Sequence, residues 1–158
     1  MTIAVPTRPS STLAAWVGLL RVHAGATRQV SAELVGEHGL TLNDFEVLLH
    51  LSRADGGRLR RVDLVERVLL TPSGITRLLD GLEEAGFVER LECPSDRRVV
   101  WAVLTPAGRE RLDGASASHA AAVRTLFEGR LDEDELATLA LLLERLTSAE
   151  DANAPSCE

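Results

Sequence analysis

Apolar residues recur at three- and four-residue steps over most of this chain, the spacing that lines one face of an α-helix. Leu13, Trp16, Val17, Leu20 and Ala24, followed by Thr27, Val30, Leu34 and Val35, predict one long amphipathic helix over residues 11–37, ending near Gly39. A helix of that length needs a partner to cover its stripe. Thr41 offers an N-cap with Asp44 in the first turn, and Phe45, Leu48, Leu49 and Leu51 carry a second helix to about Arg53, where Asp55-Gly56-Gly57 ends it. Val62, Leu64, Val65 and Val68 mark a short third helix over Arg60–Val68. Thr71-Pro72 then places a cap before a proline at the first helical position, and Ile75, Leu78, Leu79 and Leu82 follow at i, i+3, i+4 and i+7. Gly86 is the expected stop.

Beyond Gly86 the pattern changes. Residues 87–91 and 99–104 are β-branched and aromatic runs flanking the polar segment Cys93-Pro94-Ser95-Asp96-Arg97-Arg98, which predicts a two-stranded hairpin. Thr105-Pro106 repeats the cap-and-proline signal and opens a helix to about Phe127. Asp132 and Glu135 resemble a capping box that opens a last helix to about Leu146. The two ends, residues 1–10 and 148–158, hold too little apolar material to order themselves and are read as mobile tails. No internal repeat is found.

With 158 residues, 45% of them hydrophobic and 26% charged, the chain can build a sizeable core and matches neither a disordered nor a fibrous composition. No apolar run reaches the roughly 20 residues of a membrane helix, and the N-terminus lacks the basic start and apolar core of a signal peptide, so a cytoplasmic protein without membrane contact is expected. Cys93 and Cys157 are too few for a disulfide scaffold and are read as reduced thiols. The net charge of −7 argues against a uniformly basic nucleic-acid binder. Between Arg58 and Arg98, however, eight arginines balance eight carboxylates, so the acidity lies outside the middle of the chain.

The predicted order of helix, helix, short helix, turn, polar-faced helix and hairpin is that of a helix-turn-helix followed by a wing, which points to a reader of duplex DNA. A helix enters the major groove only if its outward face is small and polar, and Thr71, Ser73, Gly74, Thr76 and Arg77 meet that requirement. Arg97 and Arg98 at the hairpin tip suit the negative potential of a narrow minor groove, with Asp96 orienting an arginine. Arg60 and Arg61 are candidates for phosphate contact.

At these residues the chain resembles the MarR family of winged helix-turn-helix transcriptional regulators. The segment from Thr71 to Arg90 is similar to that family's recognition helix and its exit, Asp96-Arg97-Arg98 to its wing-tip signature, and Leu104-Thr105-Pro106-Ala107-Gly108 to its strand-to-helix junction. The resemblance covers about residues 11–147. It implies a mainly α fold with a small β-hairpin wing, in which a winged helix-turn-helix lobe over 41–104 is joined to a helical dimerisation layer formed by 11–40 and 105–147. A homodimer bound to a palindromic operator follows. Repression is implied as the usual mode, with release by a small anionic aromatic ligand, for which Trp16, Asp44, Glu46, Arg77 and Arg90 are the candidate residues. Trp16 is otherwise a core or dimer-interface residue.

The other chemistry is bland. His23, His38, His50 and His119 have no metal-ligand spacing, so no metal or other cofactor is expected. No phosphate loop, nucleophile elbow or recognisable catalytic set supports an enzyme. Cys93 is read as an exposed thiol. The alternative to a DNA reader is a winged-helix adaptor for proteins, which has no need of the Arg97-Arg98 tip.

Overall fold

In the computed structural model, residues 11–68, 70–93 and 99–151 are described, with side chains as far as Thr147. The elements run α1 (Ser11–His38), α2 (Leu42–Arg53), a 3-10 turn (Asp55–Gly57), β1 (Arg58–Arg60), α3 (Arg61–Val68), α4 (Pro72–Glu84), β2 (Val88–Glu92), β3 (Val100–Leu104), α5 (Pro106–Phe127) and α6 (Glu133–Asp151). The chain forms two compact units, one ending at Ala122 and the other beginning at Val123. The candidate mobile tails fall largely outside the described residues, although α6 is helical to Asp151, past its expected end near Leu146.

Most elements follow from their local signals. Thr41 caps α2 through a reciprocal box: the Asp44 amide donates to Thr41 Oγ1 at 3.2 Å, and the Thr41 amide donates to Asp44 Oδ2 at 2.9 Å. The same device opens α6 through Asp132 and Glu135. Sequence periodicity missed one element. Arg58–Arg60 is a strand rather than part of a loop and the start of α3, and it makes the sheet three-stranded, in the order β1-β3-β2, all antiparallel. Three residues are too few to show alternation, and β1 exists because β3 offers it a ladder, with Leu59 opposite Ala102.

The core of the first unit is built by Leu34, Leu40, Phe45, Leu48, Leu51, Leu64, Ile75, Leu79, Leu82, Val88, Ala102 and Leu112, all at most 3% exposed. Helix α1 buries only Val30 and Leu34, both in its C-terminal half. Its N-terminal half leaves Leu13, Trp16, Val17, Leu19, Leu20 and Val22 exposed, so Trp16 is no part of this chain's own core. In the second unit no described residue of α6 is buried, and Leu141, Leu142, Leu143 and Leu146 are exposed.

One close approach fixes the wing to α5. Thr105 Oγ1 donates to the Gly86 carbonyl at 2.7 Å and accepts the Gly108 amide at 3.0 Å, and the Thr105 amide donates to the Phe87 carbonyl. The first turn of α5 therefore lies against the turn after α4, and a Cβ at Gly108 would stand 2.1 Å from the Phe87 carbonyl oxygen. That is backbone, which cannot swing aside. Gly108→Ala is expected to cost about 1–3 kcal/mol in urea unfolding, the usual range for overpacking. Gly114→Ala, where a Cβ meets nothing within 4 Å, should be neutral or stabilise by up to about 1 kcal/mol.

Candidate nucleic-acid interface

Helix α4 is divided lengthwise by its own sequence. Ile75, Leu79 and Leu82 are buried, whereas Ser73, Arg77 and Asp80 are exposed and Gly74 and Thr76 half-buried. Its start is set by Thr71, which has an extended backbone and whose Oγ1 accepts the Gly74 amide at 3.1 Å, with Pro72 in the first turn. Thr76 Oγ1 donates to the Pro72 carbonyl at 2.9 Å, so its hydroxyl proton is held by the helix. Its stop is a left-handed glycine: Gly86 has φ 76°, the Gly86 amide donates to the Glu83 carbonyl, and the Phe87 amide donates to the Leu82 carbonyl. The chain then enters β2 directly.

Three candidate DNA-contact residues, Asp96, Arg97 and Arg98, lie outside the described residues. Arg61 is exposed at the start of α3. Arg60 is exposed at the end of β1, and its guanidinium is forked onto Asp63, Nε to Oδ2 at 2.9 Å and Nη2 to Oδ1 at 2.8 Å. The Arg60 hydrogen bonds hold the Asp63 carboxyl below its ordinary range. Arg60 thus stands with a fixed direction rather than sweeping the solvent. Nearby, Arg58 lies over the Trp101 ring at 5.0 Å, a cation–π pair on the outward face of the sheet.

The five candidate ligand residues are not drawn together. Trp16 is exposed on α1, Asp44 is spent in the α2 cap, Glu46 is half-buried on α2, and Arg77 is exposed on α4. No described hydrogen bond or ion pair links any of these four to another. Burial pushes the Glu46 carboxyl up. Arg90 is engaged elsewhere, by Glu83 and Asp80. The sequence signal for that engagement was present but unread: Val88 and Arg90 share a strand face, and Asp80 and Glu83 share a helix face.

A capped helix with a polar outer face, preceded by α2 and α3 and followed by the antiparallel pair β2 and β3, defines the winged helix-turn-helix class. The MarR family model matches residues 38–99. The HTH-type transcriptional repressor YetL of Bacillus subtilis is 34% identical over 116 residues, 72% of this chain and 70% of its own length. Among solved structures, AbsC, a MarR family transcriptional regulator from Streptomyces coelicolor, superposes with a TM-score of 0.80 at 31% identity, over 94% of this chain and 100% of that one. A mutant of MarR from E. coli, solved in complex with operator DNA, gives 0.74 at 26% identity, over 89% and 99%. The chain belongs to the MarR family of transcriptional regulators.

Two half-buried histidines give the fold a pH dependence. His50 is held below its ordinary value by burial first, then by Arg67 and Arg53, and His119, stacked on Phe45 with ring centroids 4.3 Å apart, by burial alone. Their folded values lie below 6.5, so the unfolded chain takes up protons first as pH falls, and the stability they confer is complete above about pH 6.5 and lost below it. Glu46, with a raised value, acts in the opposite sense nearer the carboxylate range. The urea midpoint is expected to fall between pH 7.5 and 5.5, and to fall less in a His50→Gln/His119→Gln variant.

Proposed function

We propose that this chain is a homodimeric, sequence-specific DNA-binding repressor that acts on a palindromic operator and is released by a small anionic aromatic ligand. The observation that carries the reading is α4 itself, a helix anchored along one side by Ile75, Leu79 and Leu82 and presenting Ser73, Thr76 and Arg77 on the other. Arg77 reaches base edges or phosphates from that face, and Arg60 and Arg61 contact the backbone. Asp96 orients the wing arginines, and Arg97 and Arg98 enter the minor groove.

The dimer reading rests on uncovered apolar surface. Eleven of the thirteen exposed large hydrophobic residues found among the described ones lie on α1 and α6. Large apolar side chains exposed in such number on two helices mark interfaces, and a second copy covers them with two-fold symmetry. Trp16 then packs in that interface. Two-fold symmetry places the two α4 helices in successive major grooves, about 10 bp apart. Occupying an operator excludes polymerase, and the similarity to a named repressor favours repression over activation.

Release by ligand is a population shift: the effector binds the non-DNA-binding arrangement more tightly and draws the dimer into it. A ligand carboxylate directed at Arg90 has to compete with Asp80 and Glu83 for the same guanidinium, which leaves exposed Arg77 as the freer cationic partner.

The wing supplies the sharpest test. Arg97→Ala/Arg98→Ala is expected to weaken operator binding by roughly thirtyfold or more, as for loss of two arginine–DNA contacts at about 1–3 kcal/mol each, and to sediment as an undiminished dimer. Operator affinity unchanged in this variant would favour a protein adaptor, and a monomeric wild type would overturn the dimer.

A further inference from the structure

An ion cluster centred on Arg90 joins α4 to β2. Arg90 sits at the centre of β2 opposite Ala102, on the sheet face that also carries buried Val88. Its guanidinium crosses to the helix, where Nε donates to Glu83 Oε2 at 2.6 Å and Nη2 donates to Asp80 Oδ1. Asp80 and Glu83 are three residues apart and so neighbour each other on one side of α4. A planar guanidinium that meets two acceptors spaced along a helix fixes direction as well as distance, which a lysine ammonium cannot do. The two bonds span 7 and 10 residues of chain and close a ring through the Gly86 turn. That ring sets the angle between α4 and the strand that feeds the wing loop.

We propose that Arg90 is a positioning residue, locking α4 to β2 so that the recognition helix and the wing meet DNA in one register, without itself touching DNA. The proposal rests on the DNA-reading function above. A specific site demands that helix and wing engage their grooves together, so loosening their angle costs the specific complex and spares the non-specific one, which is held by phosphate attraction alone. The carboxylates make the test unusual. The Asp80 and Glu83 side chains are 56% and 43% exposed, and on charge alone their removal should strengthen binding to any DNA. If they hold Arg90, their removal instead weakens operator binding.

The experiment uses the full chain: wild type, Asp80→Asn/Glu83→Gln and Arg90→Gln. Each is titrated by fluorescence anisotropy, over a series of salt concentrations, against an operator fragment and a shuffled fragment of equal length, with circular dichroism and thermal unfolding confirming the fold. The double variant is expected to bind shuffled DNA at least as tightly as wild type, yet to lose about tenfold or more in the ratio of operator to shuffled affinity. Arg90→Gln should lose a similar ratio with an unchanged salt slope, because no phosphate contact disappears. A double variant that keeps the wild-type ratio overturns the proposal, as does an Arg90→Gln salt slope reduced by about one, the signature of a lost phosphate contact. Wild type that does not distinguish the fragments overturns the DNA-reading function instead.

Discussion

Burial of one side of α4 is the constraint on which the rest of the structure depends. Ile75, Leu79 and Leu82 follow at four- and three-residue steps, and their near-complete removal from solvent leaves the helix only one face to show. On that face stand Ser73, Arg77 and Asp80. Thr71 decides where the helix begins and Gly86 where it stops, so its length is set by caps rather than by its neighbours. The exit matters as much as the helix, because the Gly86–Phe87 turn delivers the chain into β2 and also receives the first turn of α5 through Thr105 and Gly108.

The remaining apolar surface has the opposite logic. Where α4 hides its leucines, α1 and α6 display theirs, and neither unit can cover them from its own side chains. Burying a large apolar side chain is worth about 1.5–3 kcal/mol, so an interface formed by many such residues outweighs the entropy of association that a few could not. On the proposed reading the same surfaces that complete the fold set the distance between two recognition helices, and a ligand that alters their packing alters DNA affinity.

Much of this was legible in the residue pattern. Caps at Thr41, Thr71 and Asp132, the stop at Gly86 and the period of α4 placed the principal helices close to their observed ends, because each signal is local and satisfies its own backbone groups. Strand β1 was illegible for the reverse reason: Arg58-Leu59-Arg60 has no strand pattern of its own and is extended only by pairing with β3. The Arg90 cluster was half legible, since the shared faces of Val88 with Arg90 and of Asp80 with Glu83 are in the residue pattern, but the turn that brings those faces together over 7 and 10 positions is not. Read as a free cation, Arg90 looked available to a ligand, whereas the fold commits it to Asp80 and Glu83. Glycine 108 is an intermediate case, recognisable in the Leu104–Gly108 junction but explained only by the carbonyl of Phe87 beside it.

Hydroxyl-radical footprinting of the wild-type protein on the DNA upstream of its own gene tests the central claim, that α4 and the wing read a duplex in pairs. The account predicts two symmetric protected patches on one face of the helix, centred about 10 bp apart, with weaker protection of the flanking minor grooves. A single unsymmetric patch, or none at a protein concentration that saturates the fragment, would contradict it.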